Sequence, residues 1–161
     1  MKEITQKSLD ALSRGINAEL ASYVFYKRAA EQVQNEKLSL LLIDLAAEEK
    51  DHYWILETQY DSLVRSEKWV TYNDIMRKKG LPEIPEEMTN AHKERIKLIE
   101  KTNDPLEILK VAIQLEIEAR DFYQSQATIE TDQAARDFYI FLGKFEQGHV
   151  NILTGWQNKM K

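Results

Sequence analysis

The stretch Glu146-Gln147-Gly148-His149 is a Glu-x-x-His pattern, and the chain carries the same pattern at Glu49-Lys50-Asp51-His52. The two patterns are 97 residues apart, from 49 to 146 and from 52 to 149. The same shift relates three further residues to their counterparts: Glu19 to Glu116, Phe25 to Phe122 and Tyr26 to Tyr123. Each half of the chain therefore holds one Glu followed by a Glu-x-x-His. We interpret this repeat as a two-metal carboxylate site inside a four-helix bundle.

Apolar residues recur at steps of three and four in four long segments, which predicts helices at about 5–33, 36–65, 105–129 and 133–158. Turn and cap signals separate them: Asn35, Asp104-Pro105 and Thr131-Asp132. All three prolines lie between 82 and 105. We therefore interpret 66–104 as a long crossover with a short helix at 89–102, not as a second domain. The predicted fold is all-α, with a single domain over 1–161 in which the second and third helices run in the same direction.

Composition narrows the function classes. The chain has 161 residues, a formal net charge of −5 and no cysteine. The absence of cysteine excludes disulfides, zinc-thiolate sites, iron–sulfur clusters and thiol catalysis. The acidic balance argues against nucleic acid or an anionic membrane as a partner. The start of the chain is polar, unlike a signal peptide, and no stretch approaches the ~18 apolar residues of a membrane span. We expect a cytoplasmic protein.

Spacing predicts that the carboxylates of each half meet. Glu19 lies 15 residues before position 34, and Glu49 lies 15 residues after it. At 1.5 Å per residue, both stand about 22 Å from the turn and are level with each other. The second half has the same spacing around position 131. In each half the His follows its Glu by three residues, which returns the side chain to the same helix face.

The four carboxylates lie within apolar stripes that must face a core, and no Lys or Arg occupies those stripes near them. Isolated buried carboxylates are very costly, so they must be neutralised or paired. Two divalent cations would neutralise four carboxylates, and two imidazoles would complete the coordination without adding charge. Such a ligand set suits iron or manganese, and zinc less specifically. The predicted metal ligands are Glu19, Glu49, His52, Glu116, Glu146 and His149.

This arrangement resembles the ferritin-like di-iron carboxylate proteins, in which two helices give one Glu each and two give a Glu-x-x-His. The repeated Glu-x-x-Ser/Ala-x-x-Phe-Tyr segments and the crossover are similar to the rubrerythrin-type branch, over about 5–158. The resemblance implies a ferritin-like four-helix bundle and two iron ions, with manganese or zinc as alternatives. It also implies bridging by Glu49 and Glu146.

The resemblance further assigns the remaining ligands and their neighbours. Glu19 and His52 would serve one ion, and Glu116 and His149 the other. Tyr26 and Tyr123 would act at the site as hydrogen-bond partners of the ligands. Apart from the resemblance, Glu48 and Glu118 adjoin ligands in sequence but point elsewhere on their helices, so we interpret them as solvated.

Two departures from the rubrerythrin pattern are visible. The chain has no Cys-x-x-Cys pair for the rubredoxin-like iron that usually delivers electrons. The extra Glu that rubrerythrins place three residues after the ligand of the third helix is Ala119 here, and its repeat partner is Ser22. We therefore predict a near-symmetric site of four Glu and two His.

The expected function is that of an oxidase or peroxidase that acts on O2 or hydrogen peroxide, with an external electron donor, as a homodimer. One alternative is iron binding, with ferrous oxidation for storage or transfer. Another is a helical interaction module in which the site only holds the bundle together.

Overall fold

The computed structural model describes residues 3–66, 68–71, 74–75, 97 and 103–161. These residues contain four long helices: α1, Glu3–Gln32; α2, Glu36–Ser66; α3, Pro105–Ile129; and α4, Gln133–Met160. No strand occurs in the described ranges, so the all-α prediction is confirmed, and each predicted helix boundary lies within two residues of the observed one. Apart from residue 97, the predicted short helix at 89–102 lies outside the described residues. A membrane-spanning helix is not found among the described residues.

Side-chain caps start three of the helices at the predicted places. Asp104 accepts a hydrogen bond from the backbone N–H of Leu106 at 3.1 Å, with Pro105 as the first helical residue. Asp132 accepts a hydrogen bond from the N–H of Ala135 at 3.1 Å, and Asn35 accepts one from the N–H of Leu38 at 3.0 Å. Each cap satisfies a backbone donor that the helix itself leaves unpaired.

Contacts between helices give their directions. Tyr26 of α1 contacts Glu116 of α3, whereas Glu19, earlier in α1, contacts Tyr123, later in α3. Helices α1 and α3 are therefore antiparallel. Helices α1 and α2 pack together across a three-residue turn and are antiparallel as well. Helices α2 and α3 thus run in the same direction, which requires the long connection between Ser66 and Pro105 and confirms the predicted crossover topology.

Besides a small cluster of Leu20, Val24 and Tyr53, the apolar core of the described residues contains two large clusters with a polar layer between them. We call the cluster that includes residues 25–33 of α1 the first cluster, and the one that includes Leu9 and Leu12 the second cluster. In α1, Glu19 lies between the two. In each of the other three helices the ligands also lie between the two clusters, in the order of α1 for α4 and in the reverse order for α2 and α3. The first cluster occupies 38–46, 108–115 and 153, and the second occupies 55–63, 119–123 and 138–142. The predicted ligands therefore form one layer across the middle of the bundle, enclosed by apolar side chains on both sides.

A buried amide fastens the start of the crossover to α2. The side chain of Gln59, which is fully buried, donates to the backbone oxygen of Val70 and accepts from the Val70 N–H at 2.9 Å. This pairing holds Trp69 against the rings of Phe138 and Tyr139, with ring centroids 6.1 Å and 5.9 Å apart. The segment thereby covers one end of the second cluster.

Replacing Gln59 by Ala is expected to lower the free energy of unfolding by about 2–3 kcal/mol, because two hydrogen bonds are lost and Val70 is left without partners. Urea denaturation of the metal-free protein would measure this. The control is Ser66→Ala, which removes an exposed hydroxyl bonded to the Ser62 carbonyl and should change stability by less than about 0.5 kcal/mol. Equal effects of the two substitutions would contradict the proposed role of Gln59.

Candidate metal centre

The six predicted ligands come together in the polar layer. Helices α1 and α3 supply one Glu each, and α2 and α4 supply a Glu and a His each. None of the six is more than 2% exposed. Their donor atoms form two overlapping groups, and within each group the atoms lie no more than 4.8 Å apart. The groups are Glu19, Glu49, His52 and Glu146, and Glu49, Glu116, Glu146 and His149.

Glu49 and Glu146 are the two residues that belong to both groups. Their carboxylates therefore lie between the groups, where a ligand that bridges two ions must be. This position agrees with the bridging role that the sequence resemblance implied for them, and that role remains a prediction.

Both imidazoles direct Nδ1 towards the carboxylates. Nδ1 of His52 lies 3.2 Å from Glu146, 3.5 Å from Glu49 and 3.8 Å from Glu19. Nδ1 of His149 lies 3.1 Å from Glu49, 3.2 Å from Glu146 and 3.3 Å from Glu116. Nδ1 is thus the nitrogen that each ring offers to an ion in the layer.

Two tyrosines bind the carboxylates of α1 and α3, the helices that supply one Glu each. Each tyrosine binds the Glu of the other helix. Tyr26 donates its hydroxyl to Glu116 at 2.5 Å, and Tyr123 donates to Glu19 at 2.5 Å. Burial, followed by the charges of nearby carboxylates, raises the pKa of both phenols well above the ordinary value. Both phenols therefore remain protonated donors and fix one oxygen of each carboxylate.

The four carboxyl groups divide into two pairs by the direction in which their pKa is shifted. Burial raises the pKa of Glu49 and Glu146 well above the usual range, and the charges of neighbouring carboxylates add to it. Burial also acts to raise the pKa of Glu19 and Glu116. Hydrogen bonds from the other carboxyls and the imidazoles outweigh it, and the pKa of each falls to about 2. The metal-free layer therefore holds protons on the two shared carboxyls.

The imidazoles complete this balance of charge. Burial acts to lower the pKa of His52 and His149, but hydrogen bonds from the surrounding carboxyls outweigh it and raise the pKa of both well above the ordinary value. These directions favour protons on both imidazoles and on the two shared carboxyls in the metal-free layer. Because metal binding requires deprotonated ligands, these protons must leave when ions enter.

The residues fit two divalent cations. Among the described residues, the buried Oε2 atoms of Glu49, Glu116 and Glu146 make no hydrogen bond of acceptable geometry, although Oε2 of Glu146 lies 3.2 Å from Nδ1 of His149. Buried polar atoms without a partner are rare, and coordination to a cation would satisfy all three. Carboxylate oxygens with one imidazole on each side are donors that iron and manganese accept. The layer would hold Glu19 and His52 on one ion, Glu116 and His149 on the other, and the two shared carboxylates on both.

Comparison with known families agrees with this geometry. The family model described as Rubrerythrin matches residues 10–156, a range that contains all six residues of the layer. This chain belongs to the rubrerythrin family. The ferritin-like bundle predicted from the sequence is thereby confirmed. No curated protein and no solved structure matches the chain.

In this rubrerythrin-family protein, Glu48 departs from the sequence interpretation. Its carboxylate was expected to be solvated, yet Oε2 lies 2.7 Å from Nε2 of His149, while the side chain stays 47% exposed. The hydrogen bond with His149 lowers the pKa of Glu48, although burial opposes it. The interpretation agrees with this exposure but missed the contact, because it considered only the face that Glu48 occupies on α2, whereas α4 brings His149 to that face. Glu118 is exposed and accepts from Gln114, as expected.

The predicted symmetry holds for the six inner side chains but not for their surroundings, because Glu48 contacts only one imidazole. At the position of the missing seventh ligand, Ala119 is buried, and together with its repeat partner Ser22, which is also buried, it lines a cleft. This cleft has a volume of about 280 Å³ and includes residues of α1 and α3 only. The full lining is Arg14, Asn17, Ala18, Ser22, Leu115, Glu118, Ala119 and Phe122.

Proposed function

We propose that this protein is a di-iron oxidoreductase that reduces hydrogen peroxide or O2 with electrons from an external donor. The observation that carries the proposal is the pair of overlapping ligand groups that share Glu49 and Glu146. Such sharing suits two ions held side by side. When bound, two ferrous ions would supply one electron each, and two electrons with two protons convert one hydrogen peroxide into two waters.

The tyrosines support this role by positioning the ligands. Tyr26 and Tyr123 each hold one carboxylate oxygen of a single-Glu helix through a short hydrogen bond. The other oxygen is thereby kept in place for an ion. The apolar clusters above and below the layer restrict water, which strengthens electrostatic interactions within it.

The cleft between α1 and α3 supports the proposal that the oxidant is a small molecule. Its lining residues Ser22 and Ala119 each lie one helical turn after the carboxylate of their own helix, Glu19 and Glu116 respectively. Ala119 is small where a rubrerythrin carries an additional carboxylate on α3, and its repeat partner on α1, Ser22, is small as well. A volume of about 280 Å³ is large enough for a molecule the size of peroxide.

The test is anaerobic loading with Fe(II), followed by one hydrogen peroxide for every two iron ions or by O2, under optical spectroscopy. We expect ferric absorption to appear after peroxide or O2, and to disappear again on addition of a reductant, over repeated cycles with two irons per chain. The control is the Glu146→Ala variant, which should show no such cycle. Iron accumulation beyond two ions per chain would support storage instead. A stable fold without any redox change would support a purely structural site.

A further inference from the structure

We propose that Glu48 is a positioning residue for His149 and that it makes the two metal positions unequal. The ion held by Glu116 and His149 would bind more tightly than the ion held by Glu19 and His52. The inference rests on the proposed two-ion function and adds a role that neither the family pattern nor the repeat assigns.

The geometry of His149 gives its two nitrogens different tasks. Nε2 points out of the layer and lies 2.7 Å from Oε2 of Glu48. Nδ1 points into the layer, within 3.1–3.3 Å of Glu49, Glu116 and Glu146. A carboxylate on Nε2 requires that this nitrogen carry the hydrogen, which leaves the lone pair of Nδ1 for an ion. Glu48 therefore fixes both the tautomer and the orientation of the ring.

His52 has no equivalent support from the part of the chain that the structure describes. Among the described residues, every polar contact of His52 goes through Nδ1. The residue that the 97-residue shift relates to Glu48, from 48 to 145, is Phe145. Its ring packs edge-on against His52, with centroids 4.7 Å apart and an interplanar angle of 90°. The repeat is thus broken at the position that supports the imidazole.

The difference has a direct consequence for metal affinity. A carboxylate that accepts from the outer nitrogen increases the donor strength of the inner one and holds the ring at the angle that an ion needs. Loss of such a partner typically weakens metal binding by about 10–100-fold. We expect the position next to His149 to fill first and the position next to His52 to fill second.

Anaerobic titration with Co(II) tests this, because its absorption bands report each bound ion. Glu48→Ala should weaken the tighter step by about 10–100-fold, and Glu48→Gln, which keeps an acceptor but loses the charge, by less. The matched control is Asp51→Asn, the same loss of charge at an exposed position next to His52 on the same helix. It should leave both steps and the Co(II) bands unchanged. Circular dichroism verifies that each variant is folded.

A double-mutant cycle assigns the effect to one ion. Glu48→Ala should have no further effect in a His149→Ala background and its full effect in a His52→Ala background. Two outcomes would overturn this inference and leave the proposed function standing. One is an equal effect of Glu48→Ala in both backgrounds. The other is a wild type that binds two ions and Glu48 variants that bind them with the same affinities. A wild type that binds fewer than two ions would overturn this inference and the proposed function together. Two-step binding without a peroxide or O2 reaction would overturn only the proposed function.

Discussion

Replacing Glu146 by Ala is expected to reduce the metal content from two ions per chain to less than one. Glu146 is fully buried, belongs to both ligand groups and has an oxygen without a hydrogen-bond partner among the described residues. If Glu146 bridges as predicted, its loss would remove a ligand from both ions at once and leave the layer short of one negative charge. Elemental analysis after loading and desalting measures the change.

Two variants make this result specific. Glu19→Ala removes a residue that belongs to one group only, so it should cost one ion and leave the other. Glu118→Ala removes an exposed carboxylate on α3 and should leave two ions bound. Since the Glu146 substitution also removes a costly buried carboxyl, the metal-free variant is expected to remain folded. An unchanged content of two ions in Glu146→Ala would show that this carboxylate does not bridge.

The metal-free and metal-loaded proteins are expected to respond to pH in opposite directions between about pH 5 and 8. In the metal-free layer the pKa values of Glu49, Glu146, His52 and His149 are raised above their ordinary values of 4.5 and 6.5. The stabilisation from a raised pKa is complete below the unfolded value and is lost as the pH rises through the folded value. Above pH 4.5 the folded state therefore holds more protons than the unfolded state, and stability falls by about 1.4 kcal/mol per pH unit for each excess proton.

Glu19 and Glu116 do not alter this slope. Their pKa values are lowered to about 2, so their stabilisation is present above 4.5 and is lost only as the pH falls towards 2. In the loaded protein the ions replace the protons, and higher pH removes the competition for the ligands. The stabilisation that binding contributes therefore increases with pH.

Thermal unfolding with and without a chelator, across this pH range, measures both slopes. The metal-free variant Glu146→Gln, which lacks one of the raised groups, should show a slope shallower by about 1.4 kcal/mol per pH unit near pH 5–6. If stability changed with pH in the same way for the loaded and the metal-free protein, the layer would not exchange protons for ions.

Much of the fold follows from the sequence because it depends on local chemistry. Periodic apolar residues define four helices, and Asn35, Asp104 and Asp132 cap three of them within two residues of the predicted starts. The two short turns and the rise per residue of a helix bring the four Glu to one level, and the lengths of the connections require the crossover. The composition of the layer could therefore be predicted before any contact between helices was known.

Contacts between helices that are distant in sequence were decided only by the tertiary structure. Tyr26 follows Glu19 by seven residues, about 10.5 Å along α1, so its hydroxyl cannot bond its own Glu and instead meets Glu116 of the antiparallel α3. Glu48 meets His149 because α4 packs beside a face of α2 that the helical period alone assigns to solvent. Helical periodicity states which residues share a face, whereas the packing of the bundle determines which side chain of another helix lies opposite.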